Sequence, residues 1–461
     1  SCQVYAGGAI SARQGSPVIS RNIITDNSAG TRGGGIDLLS AGGTIENNLI
    51  TGGAATYGGG IYMSNGSYPN IVNNTIVDNS TPMYYGGGIR ADGSTPTIKN
   101  NIIAWNSQGI SVYGGSQVTL SHNNCYYNFY GGYNGLSPDA DSICVDPRFV
   151  NRASGDYHPA SDSPCVDAGT NTGAPAVDLD GRARPFGGSC DIGAYELCRI
   201  LVKADSPGPV FDGLTWKTAF HTIGQAMSIA RAKDEIWVAG GTYDEAVTMV
   251  NGVRLLGGFS GSERAPVERD PSSFVSTITG GGSEHAVTFD DISDASTTID
   301  GFKISNSSAD GVGIYCYGSG GVIERNIISG NDGGGIRIFE VDDCSLLTIA
   351  RNTIEGNNSD QYGGGVFLDT SWCAVSYSNV AVVGNVFRGN TALYGAAICA
   401  LDCDSGTKIT NNTIVDNTAT NSGGGIFMKN ACPTIENNII AYNSVYGISS
   451  FPGTCNPMVL P

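Results

Sequence analysis

Two short phrases recur through the chain, and their period restricts the fold more than any other feature. One is an Asn phrase: "RNII" at 21–24, "NNLI" at 47–50, "NNTI" at 73–76 and "NNII" at 100–103, then "RNII" at 325–328, "RNTI" at 351–354, "GNVF" at 384–387, "NNTI" at 411–414 and "NNII" at 437–440. Its second residues, Asn22, Asn48, Asn74 and Asn101, then Asn326, Asn352, Asn385, Asn412 and Asn438, lie mostly 26–27 apart, with one gap of 33. The other phrase is "GGGI" or a variant, 10–15 residues later, ending at Ile10, Ile36, Ile61, Ile89, Ile336, Val366, Ile398 and Ile426. A period this short, built of strand-length apolar pieces between Gly, Asn, Asp and Ser turns, fits one turn of a parallel β-helix. Helical repeats need amphipathic runs of ten or more residues, which this density of Gly and Asn forbids.

In such a coil the equivalent Asn side chains stack about 4.8 Å apart and bond along the stack. The glycines let the backbone turn where a Cβ would clash. Both sets are read as structural. Six cysteines follow the same period, Cys316, Cys344, Cys373, Cys403, Cys432 and Cys455. They are expected to bridge neighbouring coils, Cys432 with Cys455 for example, with Cys125–Cys144 and Cys165–Cys190 as separate loop clips. Thirteen cysteines without a CxxC knuckle point to an oxidising, extracytoplasmic setting, and the odd count leaves at least one without an intrachain partner.

The 461 residues carry 42 acidic and 24 basic side chains, a net charge of −18. Nucleic acid and anionic membranes are therefore poor partners, and divalent cations better ones. No stretch is apolar enough to span a bilayer, and "SCQVYAGGAI" lacks the basic start and apolar run of a signal peptide, so a processed chain or a fragment is expected.

The repeat breaks at 144–198. There "DPRF", "DYH", "SPCVDAG", "DLDGRARP" and "DIGAYE", in that order, resemble the C-terminal end of bacterial extracellular right-handed parallel β-helix proteins, pectate-lyase-like in architecture and of the choice-of-anchor Q type. The resemblance implies a right-handed coil, secretion and a module that ends the solenoid. Residues 199–260 resemble the opposite end of such a protein: a strand, then an amphipathic helix expected at about 216–232 with Ala219, Phe220, Ile223, Ala226, Met227 and Ala230 on one face, capping the open core.

The expected organisation is thus coils at 1–143, an end module at 144–198, a cap at 199–260 and coils at 261–461, an all-β right-handed parallel β-helix with one short helix. The natural order of one such protein would run cap, coils 261–461, coils 1–143, end module. Its seam joins Pro457, Val459 and Leu460 to Cys2, Val4 and Ile10. Pro433 to Ile448 spans 15 residues, and Pro457 read through into Ile10 spans 14, so the seam is in phase. Head-to-tail addition of that kind does not close and generates a filament.

A catalytic site is not evident, and none is expected. A lyase of this architecture would use clustered acidic calcium ligands and an Arg or Lys base, whereas Arg90, Lys99, Arg337, Lys408 and Lys429 are scattered. Asp78 and Asp416 recur as turn residues, so paired carboxylates for glycoside hydrolysis would have to arise between coils. Asp178 and Asp180 in "DLDG" alternate as in calcium loops but lack the later acidic ligands; calcium is the one candidate cofactor. Tyr84, Tyr85, Trp105, Tyr126, Tyr127, Tyr130, Tyr133 and Tyr442 could stack on sugars or fill interfaces between solenoids. The leading expectation is a secreted or cell-surface structural solenoid that assembles end to end with copies of itself. The alternatives are an adhesin or carbohydrate-binding solenoid for extracellular glycans, and behind it a polysaccharide lyase.

Overall fold

The computed structural model describes residues 4–82, 84–263, 265–306, 308–340, 346–370, 379–403, 405–451 and 458–459. They form two compact units, residues 1–198 and 199–461.

The first unit is a three-sided parallel β-helix. Its first sheet stacks Val18–Ser20, Thr44–Glu46, Asn70–Val72, Thr97–Lys99 and Thr119–Ser121; its second stacks Ile23–Thr25, Leu49–Thr51, Thr75–Val77, Ile102–Ala104 and Asn124–Tyr126. The third, six strands from Ile10–Arg13 to Tyr133–Asn134, closes the triangle. Register is strict: Ile71 lies between Ile45 and Ile98, and Ile76 between Ile50 and Ile103. These isoleucines, with Ile36, Ile61 and Ile89 of the third sheet, fill the interior at 1% exposure or less. Each contributes about 1.5–3 kcal/mol by leaving water.

The strands are short because a left-handed residue ends each one. Asn47, Asn73 and Asn100 turn the chain from first sheet to second at φ 52°, 54° and 55°. Asn is among the few non-glycine types that occupy this region at low cost. The residue after each points inward and builds the ladder. The Asn48 backbone N–H and Nδ2 both donate to Asn74 Oδ1, at 2.9 and 3.0 Å, and Asn74 repeats this to Asn101. Nδ2 also serves a strand carbonyl of the preceding coil, as Asn74 does for Ile45 at 2.8 Å, so every buried polar atom of the rung is used. At the third corner glycine is obligatory. A Cβ on Gly59 would stand 2.5 Å from the Ser80 carbonyl and 2.7 Å from that of Gly87.

The second unit repeats the plan with parallel sheets of ten, eight and eight strands. Ile323, Ile349 and Val382, then Ile328, Ile354 and Phe387, then Ile336, Val366 and Ile398 line its core. Arg325, Arg351, Gly384, Asn411 and Asn437 hold the left-handed corner. The ladder runs Asn326, Asn352, Asn385, Asn412, Asn438.

Two expectations are corrected in outline. The cap helix, α1, is only Ile223–Ile229. Thr222 caps it with Gln225 in a reciprocal box, and Ala230 already returns to extended backbone. Phe220 is excluded because it forms an isolated parallel bridge to Val202. Of the expected apolar face, Ile223, Ala226 and Met227 are the buried helical members. The segment 144–198, in turn, does not sit over the end of its coils but along their flank. Tyr157, Cys165, Leu179, Ile192, Ala194 and Tyr195 cover Leu49, Val77, Ile102 and Ala104 on the outer face of the second sheet.

Candidate functional site

The ladder Asn residues are structural, and the structure adds a second ladder five residues on. Asn79 donates to Asn106, and Asn106 to Asn128; in the second unit the line is Asn306, Asn331, Asn357, Asn390, Asn417, Asn443. The signal was present in the "NNTIVDN" spacing, where a third Asn follows the phrase at a fixed interval.

The cysteines do not form the expected loop clips. Cys125, Cys144, Cys165 and Cys190 are free thiols. The Cys125 thiol donates to the Gly132 carbonyl and that of Cys190 to Thr170, while the Cys165 sulfur accepts from Asn124 Nδ2. Burial pushes the Cys190 thiol up to about 11. Cys316 also departs from the expected row. It is a free core residue of the third sheet, in register with Ile338. Cys403 and Cys432 do occupy successive coils, the Cys432 N–H donating to the Cys403 carbonyl at 2.7 Å. Cys344, Cys373 and Cys455 lie outside the described residues.

Asp178 and Asp180 serve the fold of the flank module. Asp178 is fully buried, and its two oxygens accept from the Arg182 and Glu196 N–H groups, each at 2.8 Å. Asp180 meets His158 Nε2 at 2.8 Å, and that imidazole lies tilted against the Tyr195 ring, 3.9 Å between centroids. Beneath them lies a buried charged cluster. Arg184 meets Glu196 at 3.1 Å with both side chains fully buried, and also donates to the Asp191 and Gly193 carbonyls. Burial outweighs the guanidinium and pushes Glu196 up to about 7, and burial together with Glu196 raises Asp191. Among the described residues no three His, Cys, Asp or Glu side chains are grouped to hold a metal ion.

The scattered basic residues remain apart. Arg90 is buried in a cage of tyrosines, 4.0 Å from the Tyr113 ring, 4.7 Å from Tyr57 and 5.5 Å from Tyr85. Lys99 donates to the Thr172 carbonyl of the flank module. Arg337 is half-buried, a position that weakens its hold on a proton. An open groove in the second unit, among the described residues, is lined by Ser329, Gly330, Glu355, Gly356, Arg388, Gly389 and Asp416. There the Arg388 Nε already pairs with Glu355 at 2.5 Å. Asp78, expected as a turn residue, has φ 58° and binds Arg152 and Tyr157 of the flank module.

The aromatic residues divide. Tyr85 packs edge-on to Tyr57, and Trp105 against Tyr126 and Phe149. Tyr133 is half-buried over the core. Tyr84, Tyr127 and the unforeseen Phe129 are exposed, with Tyr130 touching both Tyr84 and Phe129 at 4.8 Å between centroids. At the seam, Val4 belongs to a strand, Val4–Ala6, paired with Ala29–Arg32, and Val459 pairs with Ile435. Ile10 is half-buried; Cys2, Pro457 and Leu460 lie outside the described residues.

Residues 1–140 match the family described as "Right handed beta helix region", and residues 211–420 match a family described as "Protein of unknown function (DUF1565)". No curated protein matches the chain. Among solved structures, pectin methylesterase PemA from Erwinia chrysanthemi is similar at 12% identity over 58% of this chain and 94% of that one, with a TM-score of 0.23. Coil geometry, sheet register and the match over the first unit agree on one architecture: the chain is a right-handed parallel β-helix protein.

Proposed function

We propose that the chain is a structural, extracellular β-solenoid that joins coils of its own kind end to end into a filament, with residues 144–198 acting as its choice-of-anchor Q type module. The supporting observation is the state of the outermost described coils. In the second unit Ile440 and Ile448 are only half-buried, although Ile414 and Ile426, one coil earlier in the same register, are fully buried. In the first unit Ile10 and Ala12 are half-buried where Ile36 and Leu38, their register partners, have no exposure. Core positions opened to water together with unpaired strand edges are what a further coil covers.

Electron microscopy of natively purified material tests this, followed by sizing of the chain after boiling in detergent with reductant. Filaments that dissolve to single chains support addition of coils by a neighbouring copy. Filaments whose chain stays far larger support a covalent array. Isolated short rods at all concentrations reject the proposal.

A second reading, a glycan-binding solenoid, rests on the exposed Tyr84, Tyr127 and Phe129, with the half-buried Tyr130 in contact with Tyr84 and Phe129. Aromatic faces in contact and open to solvent suit stacking on sugar rings. A glycan array probed with the whole chain tests it: binding that disappears in Phe129→Ala favours this reading, and silence across the array removes it.

A further inference from the structure

The heptapeptide "NNTIVDN" at 73–79 recurs unchanged at 411–417. The next coil is nearly as close: "PTIKNNIIAWNS" at 96–107 against "PTIENNIIAYNS" at 433–444, differing only at Lys99/Glu436 and Trp105/Tyr442. In the first unit this two-coil surface is an occupied docking face. Asn73 Nδ2 donates to the Asp191 carbonyl at 2.9 Å, and Thr75 Oγ1 accepts from the Ala194 N–H at 3.0 Å. Asn100 clasps Thr170 twice, donating to its carbonyl at 2.9 Å and accepting from its N–H at 3.0 Å. Asp78 takes the Arg152 guanidinium, which also lies 4.3 Å from the Trp105 ring. Ile102, inside this contact, is 2% exposed.

In the second unit the same side chains are exposed, except Thr413, which is half-buried. Ile439 is 62% exposed and Tyr442 88%; Asn411, Asn437 and Asp416 are exposed as well. We propose that Asn411, Thr413, Asp416, Asn437, Ile439 and Tyr442 form a docking site for a polypeptide module built like residues 144–198 and carried by another chain. The identity of the groups dictates the chemistry of the occupant. It offers extended main-chain carbonyls to the Asn411 and Asn437 amides and an N–H to the Thr413 hydroxyl. A cation meets Asp416 and Tyr442, and small apolar side chains cover Ile439. Glu436, standing where Lys99 donates to Thr172, cannot repeat that bond and favours a further donor or cation there. The site is separate from the open core positions on which end-to-end joining rests, so either idea can fail alone.

The test uses the whole 461-residue chain with a photoreactive benzophenone side chain at position 442, and as probe a synthetic polypeptide with the sequence of residues 144–198. Saturable binding is expected, with cross-links from position 442 to the probe around Phe149 and Arg152. Asp416→Ala and Ile439→Asp, both at exposed positions, should each weaken binding at least tenfold while leaving the circular dichroism spectrum unchanged. Absence of cross-links at position 442, or cross-linking undiminished by both substitutions, overturns the proposal.

Discussion

A ladder Asn is a residue whose value depends on having neighbours above and below. Asn74 donates to Ile45, Val72 and Asn101 and accepts from the Asn48 N–H and Nδ2. Asn74→Ala strands a buried N–H and two carbonyls, a loss of about 3 kcal/mol. Asn22, exposed at the outermost described coil, bonds on one side only, so Asn22→Ala should cost about 1 kcal/mol or less. Urea titration of the two variants checks the contrast. A second residue-scale prediction concerns Glu196. Its folded value is raised above 4.5 to about 7, so between those limits the folded chain binds the extra proton. That contribution is fully present below about pH 4.5 and is lost as pH rises through about 7. The flank module should therefore be shed or cleaved by protease more readily at pH 8 than at pH 5, and Glu196→Gln should flatten the dependence.

At the scale of elements, α1 shows how a short helix is fixed. Its first two N–H groups point at Glu245, Ile223 at 2.7 Å and Gly224 at 2.8 Å from the carboxylate oxygens. Glu245→Gln keeps one acceptor but removes the charge facing the helix start, and should cost about 0.5–1 kcal/mol, read as a lower melting temperature. The coils were legible because three constraints repeat in phase: an inward Ile, an Asn after a left-handed corner, and a glycine where strands from adjacent coils crowd. The helix was overextended because Ala219 and Phe220 share its apolar period, while Phe220 belongs to a bridge with Val202, a tertiary fact with no local mark. The flank position of 144–198 was not legible either. Ile102, Ile23 and Ile439 are alike as outward-facing residues of the second sheet, yet Ile102 is covered and the others stand 65% and 62% exposed. Sequence shows an outward Ile but not its partner. The cysteine clips failed for a related reason: spacing brought the pairs near in the chain, whereas hydrogen bonds to Gly132, Asn124 and Thr170 decide where each sulfur lies.

For the molecule as a whole, a solenoid unit has two kinds of core position, and they respond oppositely to a charge. Ile36 and Ile426 have register partners on both sides and no exposure. Ile36→Asp or Ile426→Asp buries an unpaired carboxylate and should destabilise its unit by about 4 kcal/mol or more. Ile10 and Ile448 occupy the same registers in the outermost described coils, where water already reaches them. There Asp remains solvated, so each unit should melt within a few degrees of the parent. If coils are added at these surfaces, the same carboxylate must be dehydrated against an incoming isoleucine, and joining should fail. The expected result is therefore folded units that form no filaments in Ile10→Asp and Ile448→Asp, observed by calorimetry and electron microscopy on the same samples. Filaments of normal length from both variants would place the growing contact elsewhere, since no coil could stack on a buried, unpaired charge at that cost.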